Sequence, residues 1–83
     1  MDRSEIFDKV KEILEPFVKN QEAFDGISED TSILDDLQVN SARLVDIILA
    51  FEDEFDIEVD DEAADQVSTI GDAVELISEQ IDD

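Results

Sequence analysis

Cysteine and histidine are both missing from this chain. With them go disulfides, thiolate nucleophiles, Cys/His zinc sites and the imidazole general base. Tryptophan and tyrosine are absent too, leaving five phenylalanines as the aromatics. One proline and two glycines give little punctuation, and Gly26 and Gly71 stand too far apart to build a glycine-rich phosphate loop. No run of 18 apolar residues occurs, and Met1-Asp2-Arg3-Ser4-Glu5 lacks the pattern of a signal peptide. The expectation is a cytoplasmic protein without membrane insertion. Positive charge is also scarce: five Lys and Arg face 26 Asp and Glu, for a net charge of −21.

That charge is unevenly spread. Residues 1–19 hold four cations against five acids, whereas residues 20–83 hold Arg43 against 21 acids. A field of this sign repels phosphate backbones and anionic lipid, so nucleic acid is excluded as a partner; proteins with basic patches are favoured and their association is accelerated. Self-repulsion also makes the fold marginal at low salt. At 83 residues and 42% hydrophobic, the chain reads as one domain over 1–83, able to bury only about 60% of its unfolded surface, and as a monomer.

Hydrophobic spacing predicts an all-α fold. Ile6, Val10, Ile13, Leu14 and Phe17 recur at helical intervals over 4–19, with Ser4 as N-cap and Pro16 ending or kinking the helix near Glu15. Over 20–40 the periodicity fades into turn residues, while Phe24, Ile27, Ile33, Leu34, Leu37 and Val39 predict a long loop pinned to the core. A second helix, capped by Asn40 or Ser41, carries Leu44, Val45, Ile47, Ile48, Leu49, Phe51 and Phe55, more apolar surface than one stripe. Residues 56–60 alternate like a strand but have no visible partner, so no strand is expected. A short helical turn over 61–66 and a last helix over 68–81, packing through Ile70, Ala73, Val74, Ile77 and Ile81, complete a small four-helix bundle of three main helices and one short one.

The chemistry is mostly negative. A calcium loop starting at Asp56 needs glycine and glutamate where Asp61 and Val67 stand, so clustered carboxylates bind divalent ions only as charge relief. Carboxylate pairs occur in every window and carry no catalytic signal, and no enzyme activity is expected. Ser41 remains: it follows the long loop and opens the most apolar helix, where N–H groups and the helix dipole favour an attached phosphate. Taken alone, Asn40-Ser41 reads as no more than a cap.

Three stretches give Ser41 a context. Leu34-Asp-Asp-Leu-Gln-Val-Asn-Ser-Ala-Arg-Leu-Val-Asp-Ile-Ile, Phe51-Glu-Asp-Glu-Phe-Asp-Ile-Glu-Val-Asp-Asp-Glu and Ser68-Thr-Ile-Gly-Asp-Ala-Val resemble, at matching distances, the acyl carrier protein family. The likeness is close over 34–77 and looser over 6–14. It implies a four-helix bundle with a long first loop, and a 4′-phosphopantetheine arm on Ser41, next to the N-cap Asn40. It further implies an acyl thioester on the arm, sheltered among Ile48, Leu49, Ile57 and Val59. A docking surface of Ala42, Arg43, Asp46, Glu52, Asp53, Glu54, Asp61 and Glu62 would meet a phosphopantetheinyl transferase and acyl synthases, transferases or ligases with basic patches. The family's Asp-Ser-Leu is Asn40-Ser41-Ala42 here, and Arg43 puts a cation on a face usually acidic or neutral; these departures point to a specialised carrier. An aminoacyl or peptidyl carrier, or an unmodified acidic interaction module, are the alternative readings.

Overall fold

Where apolar residues repeat every three to four positions, the chain coils into helices that bury one face each. A computed structural model describes residues 2–81, so Met1, Asp82 and Asp83 of the expected 1–83 domain lie outside the described residues. The helices are α1 (Arg3–Leu14), α2 (Gln21–Asp25), α3 (Leu44–Phe55), α4 (Asp61–Asp65) and α5 (Ile70–Ile81). Three of them are 12 residues long and two are five. No strand forms among the described residues; one isolated antiparallel bridge joins Ser32 to Thr69.

Helix α1 buries Ile6, Val10 and Leu14, spaced by four so that they stack along one side. It starts earlier than the sequence predicts. The Ile6 amide donates to the Asp2 carbonyl at 3.0 Å, so Asp2 is the capping residue and Ser4 lies inside the first turn. Pro16 acts as expected: α1 stops at Leu14, a 3-10 turn covers Glu15–Phe17, and Val18 is extended.

The segment between α1 and α3 contains an element the periodicity hid, the short helix α2. Asn20 makes it possible. Its Oδ1 accepts from the Ala23 amide at 3.2 Å, and its Nδ2 donates to the Asp36 carbonyl at 3.0 Å. The Lys19 and Asn20 amides both reach the Leu37 carbonyl. Phe24, Thr31, Ile33, Leu37 and Val39 are buried, with Ile27 and Leu34 half-buried. The far end of the segment lies against the start of α5: Ile33 N–H donates to Ser68 O, Ile70 N–H to Thr31 O and Gly71 N–H to Glu29 O, at 2.8 to 3.0 Å.

Helix α3 gives Ile47, Ile48, Phe51 and Phe55 to the core, and α5 gives Ile70, Ala73, Val74 and Ile77. Helix α1 packs on both, and α3 meets α5. Helix α4 contributes no buried residue; Ala63 and Ala64 are half-buried. The Cα radius of gyration, 11.6 Å, is close to the roughly 12 Å of a folded chain this long.

Candidate functional site

The serine-bearing turn is built by Asn40. Its extended backbone ends the loop, and its Oδ1 accepts from the Ala42 amide at 2.9 Å while its carbonyl accepts from Arg43 N–H at 2.8 Å. A 3-10 turn over Ser41–Arg43 then leads into α3. Two residues upstream, Gln38 takes a left-handed φ of 58°, which turns the chain between the buried Leu37 and Val39. Ser41 is exposed, and its hydroxyl takes part in no side-chain hydrogen bond among the described residues. An attached group would displace nothing.

Beside it runs a cleft of about 450 Å³ between α3 and α4. Leu44, Val45, Ile48, Leu49, Val59 and Ala64 form apolar walls, with Ser41, Glu52, Asp61 and Asp65 completing the lining. Of the four residues expected to shelter a chain, Ile48, Leu49 and Val59 lie together there. Ile57 does not line the cleft; it is half-buried against the core. Leu44, Val45 and Ala64 are wall residues that sequence reasoning missed. The first two carry a readable signal, since 44, 45, 48 and 49 share one helical face; Ala64 depends on how α4 packs. Val45 is 64% exposed and Leu49 55%, the exposed large hydrophobics of the chain's described residues.

The expected docking residues separate into groups. Ala42, Arg43, Asp46, Asp53, Asp61 and Glu62 are exposed. Arg43 pairs with Asp46 at 3.2 Å, an exposed contact worth little by itself. Asp46 and Asp53, seven residues apart, share a face of α3. Glu54 lies nine residues from Val45, half a turn further round, and pairs instead with Lys9 of α1 at 3.6 Å. Glu52 is half-buried, and its Oε2 accepts from the Val59 amide at 2.8 Å. No group of three or more Asp or Glu side chains among the described residues is arranged to hold a metal ion, and no helix among them is long and apolar enough to cross a membrane.

An exposed, unengaged serine at the start of a helix, opening on an apolar cleft in a small bundle, fits a carrier of a covalently attached arm. The family described as "Phosphopantetheine attachment site" matches residues 8–77. An acyl carrier protein of Petrotoga mobilis is 40% identical over 81 residues, covering 98% of this chain and 93% of the relative. One from Picosynechococcus sp. is 37% identical over 76 residues, covering 92% and 91%. The solved structure of the acyl carrier protein from Enterococcus faecalis, described for its high thermal stability, superposes with a TM-score of 0.79 at 32% identity, over 96% of this chain and 99% of that one. This chain belongs to the acyl carrier protein family. With that membership comes the family's prosthetic group, a covalently attached 4′-phosphopantetheine, and a carrying role among synthases and transferases.

Proposed function

We propose that Ser41 bears the 4′-phosphopantetheine arm and that the chain delivers an acyl group to cytoplasmic enzymes of fatty-acid or specialised lipid or polyketide synthesis, working as a monomer and without catalysis of its own. The observation that carries this reading is the free Ser41 hydroxyl at the mouth of the α3–α4 cleft. When bound, the arm supplies a thiol that holds the acyl group as a thioester. The chain's own residues do the rest. Ser41 sits at the positive end of the helical run, whose dipole favours a phosphate there, while the Ala42 and Arg43 amides are already engaged by Asn40. Leu44, Val45, Ile48, Leu49, Val59 and Ala64 offer an apolar lining worth about 0.8 kcal/mol for each methylene taken out of water. Asp61 at the cleft and the exposed Asp46 and Asp53 on α3 and Glu62 on α4 add negative charge on the two helices that form it, which sets encounter rate with basic partners more than final affinity. Ala42 and Arg43 alter that face and favour a partner specific to this carrier.

The test is intact mass after incubation with coenzyme A, magnesium and a broad-specificity phosphopantetheinyl transferase. The expected result is a gain equal to one arm that disappears in Ser41→Ala. A gain that persists in Ser41→Ala would place the arm elsewhere, and no gain beside a second carrier modified in parallel would count against the reading.

A further inference from the structure

Among the acids of α3, Glu52 differs from its neighbours in what its carboxylate does. Asp53 and Glu54 are exposed, whereas Glu52 is half-buried and lines the cleft. Its backbone carbonyl accepts from the Asp56 and Ile57 amides, closing the C-terminal turn of α3. Its Oε2 then reaches seven residues ahead to the Val59 amide at 2.8 Å. Val59 is itself a wall of the cleft, and two residues later α4 begins, capped by Asp60 Oδ1 on the Ala63 amide at 2.8 Å. Helix α4 buries no residue of its own. Ala64 within it and Ile57 and Val59 before it are only partly buried against the core, and the buried Val67 anchors its far end, so the near end is held by less apolar packing. An ionised acceptor on a backbone N–H is among the stronger hydrogen bonds available, and half-burial protects it from competing water.

We infer that Glu52 is a positioning residue of the cleft: its carboxylate tethers the 56–60 segment to α3 and thereby sets the gap that receives the chain. The inference rests on the cleft being the acyl site proposed above. It removes Glu52 from the docking surface, since an oxygen committed to Val59 N–H is not offered to a basic partner. The bond requires reach and an acceptor oxygen, and it does not require the full charge. Reach and charge can therefore be separated by substitution: Glu52→Gln keeps an oxygen at the same distance and loses the charge, while Glu52→Asp keeps the charge and is one methylene too short.

The absence of cysteine makes the test direct. In a Ser41→Cys background, octyl methanethiosulfonate forms a mixed disulfide with the new thiol and releases methanesulfinate, placing an eight-carbon chain at position 41 without any transferase. NMR then reads two quantities: contacts from the octyl methylenes to Val59 and Ile48, and hydrogen exchange of the Val59 and Phe51 amides. With Glu52 intact, and with Glu52→Gln, octyl contacts to Val59 are expected and its amide is protected. With Glu52→Asp, the Val59 contacts are lost and its amide exchanges at least about tenfold faster, while Phe51 stays within about twofold. Four outcomes would overturn the inference: no octyl contact to Val59 with Glu52 intact, unchanged contacts and exchange in Glu52→Asp, a Gln variant that behaves like the Asp variant, or faster exchange shared equally by Phe51. Whether Ser41 is the natural attachment residue is read separately, from the mass of the unsubstituted protein.

Discussion

At the start of α5, Thr69 and Asp72 form a reciprocal cap. Thr69 Oγ1 accepts from the Asp72 amide at 3.1 Å, and Asp72 Oδ2 accepts from the amides of Ser68 and Thr69 and from Ser68 Oγ, each at 3.1 Å. These bonds, the Thr69 amide first and the Ser68 amide next, hold the Asp72 carboxyl below its ordinary value of 3.8. A depressed carboxyl stabilises the native state wherever it is ionised, so its contribution is present in full above about pH 4 and is lost as pH falls through the lower folded value. Asp72 is exposed, which keeps the effect near 1 kcal/mol, a typical cap. Asp72→Asn is therefore expected to melt about 4–8 °C lower at pH 7, with the gap from the parent closing as pH falls below the ordinary value of 3.8. A gap that stays constant with pH would show that shape rather than charge matters there. Single residues also explain what reading the sequence could and could not reach. Glu52 looks like one more docking acid beside Asp53 and Glu54, although it falls four residues after Ile48 and so on the cleft side of the helix. The phase was legible; the bond to Val59, seven residues on, required the fold.

Among the elements, α1, α3 and α5 were visible in the sequence because 12 residues give three turns of apolar repetition each. Helix α2 was hidden for the opposite reason. Five residues make little more than one turn, and Asn20 and Gly26, which bound it, read equally well as turn chemistry. The α3–α4 cleft was half legible: α3 supplied its wall by periodicity, while α4 entered only through packing. The pairing of the 28–33 segment with α5 was invisible, because it consists of main-chain bonds and one bridge. That pairing depends on Gly71. A Cβ there would sit 3.0 Å from the Glu29 carbonyl oxygen and 3.2 Å from Glu29 Cβ, while the Gly71 amide donates to the same carbonyl at 2.8 Å. Overpacking against backbone costs about 1–3 kcal/mol, and alanine's better helix propensity returns at most about 1. Gly71→Ala is expected to lower the melting midpoint by about 4–8 °C and to raise amide exchange at Ile33 and Ile70 first. A midpoint at or above the parent's would mean the segment yields without cost.

The whole molecule carries a net charge of −21 on a body 35 Å in its longest direction. Its cations are mostly spent: Arg3 pairs with Glu29 at 2.7 Å, Lys9 with Glu54, Arg43 with Asp46, and Lys11 stands over the Phe24 ring at 5.9 Å. The remaining repulsion opposes compaction, so millimolar magnesium or calcium is expected to raise the melting midpoint, with sodium chloride reproducing the effect only at far higher concentration. A midpoint that ignores divalent ions would remove self-repulsion as a limit on stability. The charge is also lopsided in space. Helix α1 holds Arg3, Lys9 and Lys11, and none of its residues lines the cleft, whose rim carries Glu52, Asp61 and Asp65. Helix α1 is thus close to neutral by itself, while the mouth of the cleft is ringed by acids. In the field of a positively charged partner such a body feels a torque as well as a pull, and it turns the mouth of the cleft forward before contact. Orientation, usually the slow part of finding a binding partner, would then be achieved during the approach, and an arm on Ser41, as proposed, would arrive already facing its destination.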